Sequence, residues 1–136
     1  MIDYKELLYY SGTRLRIIFA RSKSKSLRSK DFLDSLESDS LMKLDRVLKR
    51  LEDYGKVFNT EQFKTIGDDL WEVKEPGGKR LIGYFRPAHF VLTHGFEKRG
   101  GGRSANKVPA EEKERANRIR EEFEFEFKRM VRGSSK

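Results

Sequence analysis

The sequence predicts an α+β domain: two N-terminal helices packed on a small antiparallel β-sheet of about four strands, followed by a C-terminal helix. Three observations predict it. Between Phe63 and Arg99, short runs of β-type residues are separated by Pro76-Gly77-Gly78 and by Pro87-Ala88, the turn chemistry of an antiparallel meander. Leu41, Leu44, Val47, Leu48 and Leu51 recur at helical spacing ahead of Gly55, a residue suited to a left-handed cap. Ala116, Ile119, Phe123, Phe127 and Met130 form a second apolar stripe behind Pro109, with Glu111 and Glu112 in the opening turn.

In chain order, Met1 to Gly12 carries Tyr4, Leu7, Leu8 and Tyr9 at spacings that fit a short helix or a docked extension. Leu15, Ile17 and Phe19 then alternate against Arg14, Arg16 and Ile18, as a half-buried first strand does. Arg14, Arg16, Arg21, Lys23, Lys25, Arg28 and Lys30 follow one another with no acid between them, either as a solvated loop or as a phosphate-binding arm. Ser29 is placed to cap a helix containing Phe32, Leu33 and Leu36, and Ser38-Asp39-Ser40 breaks it. The next helix carries Lys43, Arg46 and Arg50 as a basic stripe beside its apolar one. Two helices joined by a polar turn are compatible with a DNA-reading motif, but the surrounding strands favour a hairpin laid over the sheet. Gly100-Gly101-Gly102 opens a loop with Arg103 and Lys107 that lacks the pattern of a phosphate-cradling P-loop. One domain over 1–132 is expected, with 1–12 as an extension and 133–136 as a tail.

With 136 residues, the chain is long enough to bury a core without staples. Its 30 Lys+Arg against 22 Asp+Glu give a net charge of +8, which suits a polyanionic partner or simply a soluble surface. No cysteine is present, so thiol chemistry and disulfides are excluded. A mean hydropathy of −0.79 and the lack of a long apolar run argue against a membrane span or a leader, and a cytoplasmic protein is expected.

Strand alternation sorts the candidate chemistry. Leu70, Glu72 and Lys74 oppose Trp71 and Val73; Arg80, Ile82 and Tyr84 oppose Leu81 and Phe85; Phe90, Leu92, His94 and Phe96 share one face. His89 and His94 are an odd number apart, so they are expected on opposite faces and no metal site is expected. Asp68-Asp69 reads as a turn, which leaves Glu72 without an acidic partner for carboxylate-pair hydrolysis. What remains is a cationic set, Lys64, Arg80, Lys98, Arg99 and Arg103, with His94. Such groups can cleave RNA without metal: the 2′-hydroxyl attacks the adjacent phosphate, cations stabilise the phosphorane, and titratable groups move two protons.

FKTIGDDLWEV, then KRLIGYF, then FVLTHGFEKR, then Pro109 opening an Ala- and Arg-containing helix, resemble the RelE/HigB group of bacterial and phage toxins over roughly Phe32 to Phe123. The resemblance implies the toxin of a type II toxin–antitoxin pair, a ribosome-dependent mRNA endoribonuclease of RelE-like fold. The implied partners are a cognate antitoxin, mRNA on the ribosome and ribosomal RNA, with no cofactor, metal or membrane. Lys64, Arg80, His94, Lys98 and Arg99 match the family's catalytic positions, whereas Trp71 and Glu72 match positions that are structural. Arg14, Arg16, Lys23, Lys25, Lys43, Arg46, Arg103 and Lys107 complete an expected RNA-binding surface. Two alternatives stay open: a non-catalytic RNA-binding protein of the same fold, and a gyrase inhibitor of the ParE type.

Overall fold

The structure, a computed structural model, describes residues 7–12, 14–55, 61–98 and 108–134. Two strands, β1 (Leu8–Ser11) and β2 (Arg16–Phe19), precede two helices, α1 (Arg28–Asp34) and α2 (Ser38–Tyr54). Four more strands follow, β3 (Phe63–Gly67), β4 (Leu70–Lys74), β5 (Lys79–Arg86) and β6 (His89–Glu97), and then α3 (Ala110–Ser134). They form one six-stranded sheet in the order β1-β2-β6-β5-β4-β3. β2 runs parallel to β6, and every other pair is antiparallel.

This corrects the expected fold. The sheet has six strands rather than about four, it is mixed rather than antiparallel, and the two helices are inserted after its first two strands. Leu8–Ser11 is a strand and not the end of a helix. Tyr9 gains from that: its ring lies 5.0 Å from Phe19 and its hydroxyl donates to Asp45 Oδ1 of α2 at 2.6 Å. Aromatic side chains fit a pleated surface well, and here they outweigh a helical spacing only a few residues long. β2, expected at the edge or the centre, lies between β1 and β6. β3 is a strand in its own right, joined to β4 by Asp68 and Asp69, whose φ angles of 56° and 62° are those of a tight hairpin turn.

Each face of the sheet buries its own core. On one, α1 and α2 supply Leu33, Leu44, Val47, Leu48 and Leu51 against Ile17, Phe19, Phe63, Val73, Leu81, Phe90 and Leu92. On the other, Ala116, Ile119, Phe123 and Phe127 of α3 cover Ile18, Leu70, Ile82, Tyr84 and Val91. Both helical stripes are therefore where the spacing put them, as far as Leu51 in α2 and Phe127 in α3; the side chain of Met130 lies outside the described residues. α3 also runs straight through the alternating Glu-Phe segment and as far as Ser134, leaving Phe125 66% exposed. Gly55 ends α2 with φ 74° and donates its N–H to Leu51. Ser29 does not cap α1, which starts at Arg28; it is buried and donates to the Leu92 carbonyl at 3.1 Å. Among the described residues no helix is long and apolar enough to cross a membrane.

The register of β5 on β6 slips by one residue: Ile82 pairs with His94, but Gly83 pairs with Leu92. Thr93 is the extra residue, and its hydroxyl donates to the Ile82 carbonyl at 3.1 Å. Phe90 and Leu92 consequently face the α1–α2 core, while His94 and Phe96 face α3, so the four do not share a face as simple alternation implied. Gly83 is squeezed at the same point. A Cβ there would lie 2.6 Å from the Phe90 ring and 2.7 Å from the Val91 carbonyl. Gly83→Ala is expected to destabilise the fold by about 1–3 kcal/mol, read as a lower urea midpoint.

Candidate active site

Four strand ends meet at one end of the sheet, on the face that carries α3. Lys64 is the second residue of β3, Lys74 the last of β4, Arg80 the second of β5, and Lys98 follows the last residue of β6. Register brings them together: Lys64 pairs with Glu72, Lys74 with Arg80, and Arg80 with Phe96, and cross-strand partners project to the same side. The Lys98 N–H donates to the Gly78 carbonyl at 2.7 Å, tying the end of β6 to the β4–β5 turn.

Glu72 and Arg80 form the floor. Their side chains are 2% and 9% exposed, and Arg80 Nε lies 3.6 Å from Glu72 Oε2. Backbone fixes the guanidinium: Nη1 donates to the Glu75 carbonyl at 2.8 Å and to the Lys79 carbonyl at 3.1 Å. The turn supplying those carbonyls is held in place by the Glu75 carboxylate, which accepts from the Gly77 N–H. Glu72 Oε1 and Arg80 Nε are both buried without a hydrogen-bond partner. The pair is thus a Coulomb contact with an unused acceptor and an unused donor.

Half-buried Lys64, Lys74 and Lys98 form the rim. Burial raises the Glu72 carboxyl above its usual range, against the charges of Arg80, Lys74, Lys64 and Lys98. Lys74 is pulled down by burial and by the Lys64 amine beside it, and Glu72 opposes the shift. Lys98 is pulled down by burial and by the charges of Arg80 and Lys64, and again Glu72 opposes. One buried carboxylate therefore sits within the field of four cations.

His94 belongs elsewhere. It is 2% exposed, with Nε2 3.1 Å from Glu112 Oε1 in the first turn of α3 and Nδ1 3.3 Å from the Thr93 hydroxyl. Its ring stacks 6.1 Å from Phe96. Burial pushes its pKa below the ordinary histidine value despite Glu112, and the charges acting with burial are Arg115 and Arg28. The imidazole is a neutral pin between β6 and α3. His89 is also on the α3 face, because the extra residue in β6 overturns the odd-spacing rule, but it packs 5.9 Å from the Phe127 ring. Glu112 and Phe127 are about 22 Å apart along the helix, so the two histidines are separated by distance rather than by face. Among the described residues no group of three His, Cys, Asp or Glu could hold a metal ion.

The expected RNA-binding residues are dispersed. Arg14 and Arg16 are exposed at the start of β2, whose Arg16 pairs with His89, the end of β6 remote from Lys98. Lys23 and Lys25 are exposed in the turn after β2, and the Lys23 N–H donates to Glu122 of α3 at 2.7 Å. Lys43 and Arg46 are exposed on α2. Arg99, Arg103 and Lys107 lie outside the described residues. Two members of the cluster were missed as functional candidates, Lys74 and the central Glu72. Both were signalled by strand phase, since they alternate in step with each other and stand opposite Arg80 and Lys64.

A family profile described as Phage derived protein Gp49-like (DUF891) matches residues 31–121, from α1 into α3. The chain belongs to this Gp49-like family. The matched stretch contains the whole Lys64–Glu72–Lys74–Arg80–Lys98 cluster and Glu112, whereas β1 and β2 precede it. No curated protein matches the chain.

Two outcomes follow from these environments. Glu72→Gln removes the charge that raises Lys74 and Lys98, so both lysines should titrate at lower pH than in the wild type; the ¹³Cε shifts of labelled lysine report it. A histidine whose folded pKa is depressed contributes stability that is complete above its unfolded pKa and lost as pH falls. Unfolding free energy should therefore decline from about pH 6.5 downward, and His94→Gln should flatten the slope measured by urea titration.

Proposed function

We propose that this Gp49-like protein is the toxin of a type II toxin–antitoxin pair, and that it cuts mRNA on the ribosome by metal-independent attack of the 2′-hydroxyl on the adjacent phosphate. The observation that carries the proposal is the gathering of Lys64, Lys74, Arg80 and Lys98 around one buried carboxylate at a sheet end. A cluster of like charges is costly to assemble, and an anion in its midst lowers that cost. Arg80 offers a planar donor held rigid by backbone, which suits the oxygens of a phosphorane.

His94 is buried on Glu112, so proton transfer falls to the lysines. Lys74, its pKa lowered beside Lys64, takes the 2′-hydroxyl proton in its neutral form as the O2′–P bond forms. The P–O5′ bond breaks, and the departing oxygen takes a proton from the Lys98 ammonium, which is likewise lowered and so a better acid. The products are a 2′,3′-cyclic phosphate and a 5′-hydroxyl. Ribosomal RNA supplies further phosphate contacts, and a cognate antitoxin keeps the toxin inactive until released.

The test is to express the chain in bacteria and map message ends on ribosomes. Arg80→Ala should reduce cutting by about 10²–10³-fold, the usual loss when one preorganised donor is removed. It should also cost about 3–5 kcal/mol of stability, because Glu72 is left buried without its counter-ion. The double variant Glu72→Gln/Arg80→Ala should regain most of that stability and none of the cutting, which separates chemistry from folding. Intact message with normal growth would overturn the assignment. Bound but uncut RNA would favour a non-catalytic RNA-binding protein, and loss of DNA supercoiling would favour a gyrase inhibitor.

A further inference from the structure

We propose that the groove between α2 and the β3–β4 edge is a second phosphate-binding site, which seats the backbone of a single-stranded nucleic acid whose neighbouring stretch lies in the Arg80 cluster. This placement rests on that cluster being the seat of the scissile phosphate. The groove encloses about 340 Å³. Lys43, Arg46 and Arg50 line one wall, and Gln62 and Lys74 the other. Among the described residues no carboxylate lines it. Lys43 lies 3.2 Å from Asp39, which is 75% exposed, so that contact is screened by water.

The wall is a consequence of helix geometry. Leu44, Val47, Leu48 and Leu51 turn α2 toward the sheet, which leaves Lys43, Arg46 and Arg50 on a neighbouring stripe. From Lys43 to Arg50 the helix advances about 10 Å, room for more than one phosphate of a strand. Lys74 joins the two sites. It lines this groove, and its amine also meets that of Lys64, the strand partner of Glu72. A chain of regularly spaced single charges can occupy both at once, whereas one inorganic phosphate can fill only one. An acidic protein segment would need apolar anchors as well, and among the described residues the groove offers only Val47 and Pro76.

The test uses 2′-O-methyl oligonucleotides, which cannot be cut, so it is independent of whether the protein is a nuclease. Anisotropy titrations at several salt concentrations compare a trinucleotide with a dodecanucleotide. The wild type should prefer the longer strand by at least about tenfold, and Arg46→Ala/Arg50→Ala should abolish that preference and reduce the salt slope by about one to two. Arg46→Lys/Arg50→Lys should keep both, which excludes loss of fold as the cause. An unchanged length preference and salt slope in the alanine variant would overturn the proposal. So would polyglutamate displacing the dodecanucleotide at equal charge concentration, which would make the groove a site for an acidic protein. If no message is cut in cells while these titrations behave as expected, the nuclease assignment fails and the groove stands.

Discussion

The single extra residue in β6 decides what each side of this sheet can do. The hydroxyl of Thr93 bonds the Ile82 carbonyl and holds the slip in place. Before it, Phe90 and Leu92 feed the core beneath α1 and α2; after it, His94 and Phe96 are turned toward α3. Without the slip, the imidazole would point into a layer of leucines and phenylalanines with no polar partner. With it, the ring finds Glu112 and fixes the start of α3 against the sheet. A one-residue change of register is the cheapest way to move an entire half-strand to the opposite face.

The electrostatics of the strand ends rest on a similar economy. Three lysines and an arginine crowd together because a carboxylate is buried in their midst, and that carboxylate is tolerated in a dry position because of the four cations. Neither half would be stable alone. The fit is incomplete, with an acceptor on Glu72 and a donor on Arg80 left unsatisfied, and such atoms are uncommon in folded proteins. Polar capacity held in reserve beside a rigid guanidinium is what a site for a hydrogen-bonding anion requires.

Much of this was legible in the sequence. The stripes of α2 and α3 were long and strongly periodic, so burial agreed with spacing at Leu44, Val47, Leu48, Ala116, Ile119 and Phe123. The phase that aligned Arg80 with Ile82 and Tyr84 also holds, and Lys64, Arg80 and Lys98 do come together. What escaped was information that no local pattern carries. The parallel docking of β2 on β6 depends on residues more than seventy positions apart, such as Ile17 and Phe90. The extra residue at Thr93 leaves no mark in composition, and it alone parted His94 from the face of Phe90 and Leu92. Glu72 looked like an isolated acid until the register showed four cations around it.

The sheet ends on one side in β3, a strand of five residues. Its pairing with β4 is irregular between Thr65 and Gly67, and the adjoining turn is clipped to α3 where Arg120 donates to the Asp68 carbonyl at 2.7 Å. Shortness, distortion and a lysine are the features by which natural edge strands discourage a neighbouring chain from pairing with them. Lys64 is among those features: a charge on the outermost strand disfavours the addition of a further strand at that border.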